Sequence, residues 1–120
     1  LIKDNHIQSA GSVANALQMA QTANCGLPIE LEVDNLKQIE EALLIGVDGF
    51  LLDNMPPEKI SAAVALIRRH DKKGNILIEA SGGINLSNIQ SYLNTGINAI
   101  SIGALTHSAV GKDIRLEFIN

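Results

Sequence analysis

Two short turns carry residue types that could hold a phosphate. Ser81-Gly82-Gly83 follows the apolar run at 76–80, and Ile102-Gly103-Ala104 closes the run that begins at Ala99. Glycine lets a backbone turn sharply and come close to a ligand. Where such a turn opens a helix, its backbone N–H groups point toward an anion. Two of them at successive strand ends could share one phosphate, with His107 touching it directly or through water. Taken singly, each is equally a plain strand-to-helix connection, because neither has the lysine and hydroxyl of a P-loop.

Three charged residues stand at other strand ends. In Ile29-Glu30-Leu31-Glu32-Val33, the two-residue period puts Glu30 and Glu32 on one face, with Glu32 nearer the rim. Asp53 ends the run GFLLD and precedes Asn54. Two carboxylates on neighbouring strand ends could bind ribose hydroxyls or, through water, a magnesium ion. Salt bridges and turn formation are the structural alternatives, and the spacing defines no metal ligand set. Lys3 could attract a carboxylate or diphosphate, or pair with Asp4. His6 could reach a substrate or fasten its own loop.

These residues need strands behind them. Apolar runs predict strands at 1–3, 29–33, 49–52, 76–80 and 99–102, the first followed by a polar turn. Helical spacing occupies 13–23, 36–44, 58–69 and 86–93. Asn35 and Asn85 or Ser87 are available as caps, Gly46 as a stop and Pro56-Pro57 as a start. The rhythm is that of parallel βα units, and polar residues gathered after the strands favour a TIM-like βα barrel over an open sheet. Five such units do not close an eight-unit barrel, so an upstream portion is expected.

Composition narrows the function classes. The chain has 120 residues, 46% of them apolar, and a net charge of −4. That suits one domain and argues against nucleic-acid binding. The densest basic stretch, Arg68-Arg69-His70 with Lys72-Lys73, reads as the solvated end of a helix. No apolar run is long enough for a membrane span. The lone Cys25 fits a reducing cytoplasm. Met55, Phe50 and Tyr92 read as packing, and Glu40 and Glu41 as the wet face of a helix.

The blocks LIKDNHI, IELEVDNLKQIEEAL, GFLLDNMPPE, IEASGGINLSNI and ISIGALTHSA together resemble the C-terminal part of nicotinate-nucleotide pyrophosphorylase, or quinolinate phosphoribosyltransferase. They occur in that family's order and cover nearly the whole chain. The resemblance implies an α/β fold: residues 1–120 would be the C-terminal portion of an incomplete α/β barrel, with its upstream part and a separate N-terminal α/β sandwich domain absent. It implies a reaction of quinolinate with 5-phosphoribosyl 1-diphosphate, assisted by Mg²⁺, in de novo NAD synthesis. Lys3 would lie near the anomeric carbon, and Glu32 and Asp53 would hold the ribose. Ser81, Gly82, Gly83, Ile102, Gly103 and Ala104 would surround the 5-phosphate. A cytoplasmic homodimer is expected, because basic residues for both anions lie upstream or on the neighbouring subunit. A phosphoribosyltransferase with another acceptor, a barrel isomerase, a phosphate-binding module and a purely structural role are the alternatives.

Overall fold

The computed structural model describes residues 1–107 together with 111 and 114; residues 108 and 109 of the fifth block lie outside them. The order is α1 (Asp4–Ala10), α2 (Val13–Ala23), β1 (Glu30–Val33), α3 (Leu36–Ile45), β2 (Gly49–Asp53), α4 (Pro57–His70) and β3 (Leu77–Ser81). A 3₁₀ turn (Ile89–Ser91), β4 (Ala99–Ile100) and α5 (Ala104–His107) follow. The four strands are all parallel and lie in the order β1-β2-β3-β4. Ile2 bridges Leu31 in parallel ahead of β1. A doubly wound sheet reverses its strand order at a switch point. Here the order never reverses, and the sheet with its helices is an arc of an incomplete TIM-like barrel.

Side-chain alternation gives the arc two faces. Leu31, Val33, Phe50, Leu52, Ile78 and Ala80 point outward and are almost wholly buried, against Leu17, Ile39, Ala42, Ile60, Ala63 and Ile67 of the helices. Burial of each large apolar side chain contributes roughly 1.5–3 kcal/mol, so this layer holds the arc together. The inner face instead carries Glu30, Glu32, Leu51, Asp53, Glu79 and Ser81, as the strand registers require. Gly49 makes room there: a Cβ would stand 3.3 Å from that of Leu77 and 3.4 Å from Glu30 Cγ.

The helices begin and end where the residues dictate. Ser12 and Asn35 accept the N–H groups of Asn15 and Gln38 as N-caps, Pro57 opens α4, and Gly46 follows α3 with φ of 104°. Six expectations need correction. The strand expected at 1–3 is a single bridge, and the polar turn after it is a helix, because His6 Nδ1 accepts the Lys3 N–H at 2.9 Å and nucleates α1. The last strand stops at Ile100, although the Ser101 N–H still reaches Ala80 O at 2.9 Å.

The α-helix expected at 86–93 is a chain of turns around the 3₁₀ segment. Asn85 Oδ1 accepts the Ser87 N–H, Asn88 Nδ2 donates to Gly83 O, and Ser91 Oγ donates to Asn88 O. Short polar side chains here compete for backbone groups that a helix would use. Arg68 is not a solvated helix end. Its side chain is 27% exposed and donates to Asp71 Oδ2 at 3.1 Å, Ile76 O at 2.8 Å and Asn98 Oδ1 at 2.8 Å. Glu41, expected on a wet face, accepts the Ala14 N–H at the start of α2.

Candidate active site

The carboxyl ends of the strands gather the charged candidates. Ile2 lies beside Leu31, so the next pair along is Lys3 and Glu32, with Nζ 3.8 Å from Oε2. That is an ion pair longer than a hydrogen bond. Glu32 is 19% exposed and Lys3 55%. Asp53 stands one strand over, and Glu32 and Asp53 line a 90 Å³ hollow with Asp4, Asp34 and Gln38. His6 fastens the loop through Nδ1, which leaves its Nε2 to carry the proton of the neutral ring.

A second, larger cleft of 570 Å³ lies at the ends of β3 and β4. Ser81, Gly82, Gly83, Ser101, Gly103, Ala104 and His107 line it, and Asn85 adds an amide at its edge. Six of the seven residues expected around a phosphate therefore share one cleft, whose nine-residue lining also takes in Ile84, Asn85 and Ser101. Ile102 is the exception. Its side chain packs against the apolar core, leaving only its backbone toward the turn, and Ser101 takes the inward position. Gly103 lets His107 fold back: a Cβ there would lie 3.3 Å from His107 Nε2.

Asn54 joins the two regions. It adopts a left-handed φ of 52°, donates its N–H to Ser81 O at 2.9 Å, and donates Nδ2–H to Asp53 Oδ2 at 2.7 Å. Gly82 packs directly on it. A Cβ at Gly82 would fall 2.7 Å from the Asn54 backbone nitrogen and closer still to its amide, and φ at Gly82 is +84°. Only glycine satisfies both demands. Asp53 also pairs with Ser81 in register, so the carboxylate and the cleft are held on adjacent strands. Asn54, Ser101 and Asn85 were missed from sequence. Two residues beyond Ala99, the register partner of Glu79, Ser101 faces inward, and asparagine is among the few non-glycine residues that favour the left-handed conformation seen at Asn54.

Residues 1–117 match the family model described as quinolinate phosphoribosyl transferase, C-terminal domain. The chain belongs to this family. It is 42% identical over 117 residues to the nicotinate-nucleotide pyrophosphorylase [carboxylating] of Mycobacterium leprae, covering 98% of this chain and 40% of that protein. A probable nicotinate-nucleotide pyrophosphorylase [carboxylating] of Methanocaldococcus jannaschii is also 42% identical, over 99% of this chain and 43% of its own length. The crystal structure of the nicotinate-nucleotide pyrophosphorylase of Ehrlichia chaffeensis superposes with a TM-score of 0.80 at 40% identity, over 89% of this chain and 37% of the other. The chain thus spans about two-fifths of the length of the curated family members it matches, 40% and 43%.

Among the described residues, no group of three or more His, Cys, Asp or Glu side chains could hold a metal ion, and no helix is long and apolar enough to cross a membrane. Glu32 and Asp53 suit a different arrangement. Magnesium keeps several waters and is held by one or two carboxylates plus substrate phosphates. Glu32 and Asp53 are two carboxylates on one hollow, the number that such a largely hydrated ion takes.

Proposed function

We propose that this chain is the C-terminal portion of the barrel domain of a quinolinate phosphoribosyltransferase, with residues 1–120 in that domain and an N-terminal domain supplied upstream. The reaction would convert quinolinate and 5-phosphoribosyl 1-diphosphate to nicotinate mononucleotide, diphosphate and carbon dioxide, within de novo NAD synthesis. The word carboxylating in the names of its relatives describes the same equilibrium run in reverse. What supports the reading most is one juxtaposition in a chain of this family: Asp53 and Ser81 are register partners, so a carboxylate and a 570 Å³ cleft share adjacent strand ends.

The roles follow from charge and position. The turns at 81–83 and 102–104 hold the 5-phosphate, with His107 beside it, and so fix the sugar far from the reacting bond. Binding energy there orients the anomeric carbon. Glu32 and Asp53 hold the ribose hydroxyls, and Lys3 attracts the anionic substrates. The quinolinate nitrogen lone pair attacks the anomeric carbon as its bond to the diphosphate oxygen breaks. Positive charge develops in the sugar, which Glu32 and Asp53 stabilise electrostatically. The ring carbon–carboxylate bond then breaks, its electron pair stays on that ring carbon beside the positive nitrogen, carbon dioxide leaves, and the carbon takes a proton from water. When bound beside Glu32 and Asp53, Mg²⁺ would supply neutralisation of the leaving oxygens. The nitrogen holds no proton, so Lys3, Glu32 and Asp53 act by position and charge rather than by acid–base exchange.

A homodimer suits this site because its anions need cations beyond Lys3. The free, exposed Cys25 agrees with a cytoplasmic location. The test is to make the full-length protein and follow nicotinate mononucleotide and carbon dioxide from quinolinate, 5-phosphoribosyl 1-diphosphate and Mg²⁺. Equal yields of both products are expected. Turnover with nicotinate in place of quinolinate, or none by folded, assembled protein, would overturn the assignment.

A further inference from the structure

We propose that Glu79 is a positioning residue for the phosphate cleft, acting through Ser101, and that Ser101 is a strut of that cleft rather than a phosphate ligand. The proposal rests on the phosphoribosyl-transfer reading and adds residues which that reading leaves without a role.

Glu79 sits in the middle of β3 on the inner face, in register with Leu51 and Ala99. A carboxylate on a half-buried strand is costly unless it is hydrogen-bonded. Its Oε1 accepts the Ser101 hydroxyl proton. Ser101 is held a second time, by its N–H on Ala80 O at 2.9 Å, and it lines the cleft just before the turn at Gly103. The first turn begins at Ser81, two residues beyond Glu79 on the same face. One carboxylate therefore links the strand that carries the first turn to the residue that launches the second.

The direction of that hydrogen bond decides what Ser101 can do. A hydroxyl has one proton to donate. With that proton on Glu79, Ser101 presents only lone pairs to the cleft, which repel a phosphate oxygen. The gripping donors are then the backbone N–H groups of the two turns, and Ser101 keeps the turns at the right separation. Glu30 sharpens the point. Its Oε1 is buried with no partner, and burial first, then the neighbouring charge of Glu79, raise its carboxyl above the ordinary value. Removing the Glu79 charge relieves that repulsion, so loss of folding is not the expected result of substitution.

The experiment uses the full-length protein with Glu79→Ala, Glu79→Gln, Ser101→Ala and the Glu79→Ala/Ser101→Ala pair. Glu79→Ala is expected to raise KM for 5-phosphoribosyl 1-diphosphate about tenfold, with kcat and KM for quinolinate nearly unchanged. Glu79→Gln, which keeps an acceptor for the hydroxyl, restores the wild-type KM. Ser101→Ala matches Glu79→Ala, and the pair is no worse than either, as members of one contact should be. An unchanged KM in Glu79→Ala, failure of Glu79→Gln to rescue, or additive losses in the pair would overturn the proposal. Calorimetric titration with inorganic phosphate separates the two readings. Phosphate binding that follows the same variant pattern without turnover would sink the transfer reading and sustain this one; wild-type protein that binds no phosphate would sink this one.

Discussion

The two ends of the strands use the same kinds of residue to opposite effect. At the amino ends, charge is spent on the protein itself. Asp48 Oδ2 accepts the Ile29 N–H at 2.7 Å, Asp71 Oδ2 accepts that of Ile76 at 2.6 Å, and Asn98 Oδ1 accepts from both Ile78 N and Arg68. At the carboxyl ends, Lys3 and Glu32 stand 3.8 Å apart beside a hollow, and the turns at 81–83 and 103–104 surround an open cleft. Saturated charge locks the strand order, whereas loosely partnered charge beside open volume is left for a ligand. The contrast separates stability from function along one sheet.

Its strongest test removes the rim charges. Glu32→Ala with Asp53→Ala is expected to lower kcat/KM of the full-length protein by about 10³-fold or more, the scale of lost electrostatic stabilisation, without lowering the melting temperature. Retained activity would break the contrast. Gly82→Ala should come next. A side chain at φ +84° that also strikes Asn54 displaces the Asp53 partner, and a cost of about 2 kcal/mol or more falls on the turn. Weakened phosphate binding measured by calorimetry, with circular dichroism unchanged, would sharpen the idea that Asn54 couples the acid to the cleft.

At the other end the expectation reverses. Arg68→Ala strips three hydrogen bonds from the Asp71, Ile76 and Asn98 groups and should destabilise the domain by about 2 kcal/mol in urea unfolding. The specific activity of the molecules that remain folded should stay at the wild-type level. A selective loss of kcat in Arg68→Ala would mean that the amino-end latch also shapes the site.

This division explains what was legible beforehand. The strands were readable because β-branched and apolar runs recur with caps and glycines between them, and the rim candidates because Glu32, Asp53 and Ser81 end such runs. Residues whose roles depend on a distant partner were not. Arg68 looks like any basic helix end until Asn98 is brought beside it. The segment at 86–93 has apolar spacing suited to a helix, but the side chains of Asn85, Asn88 and Ser91 capture backbone groups in and around it first. Ile102 was assigned to the cleft by its place in a motif, while the strand period turns its side chain to the core.

The smallest expected effects come from two carboxylates that titrate in opposite directions. Asp71 lies below the ordinary carboxylate range, chiefly because the Ile76 N–H donates to it, with further help from Arg68. Its contribution is present above the ordinary value and lost as pH falls through the lowered folded value. Asp71→Asn should therefore destabilise the domain at neutral pH and converge with wild type in acid. Glu30 is raised by burial and by Glu79, so its charged form is the unfavourable one when folded. The penalty is absent below the ordinary value and grows as pH rises through the raised folded value. Glu30→Gln should accordingly melt higher than wild type near neutrality and match it in acid. Parallel melting curves at about pH 2 and about pH 7 read both signs at once. If Glu30→Gln instead destabilised the protein at neutral pH, the ionised carboxylate would have to be holding something in place. Glu30 would then belong with the saturated charges of the amino end, and the inner face would be part of the latch rather than the floor of the site.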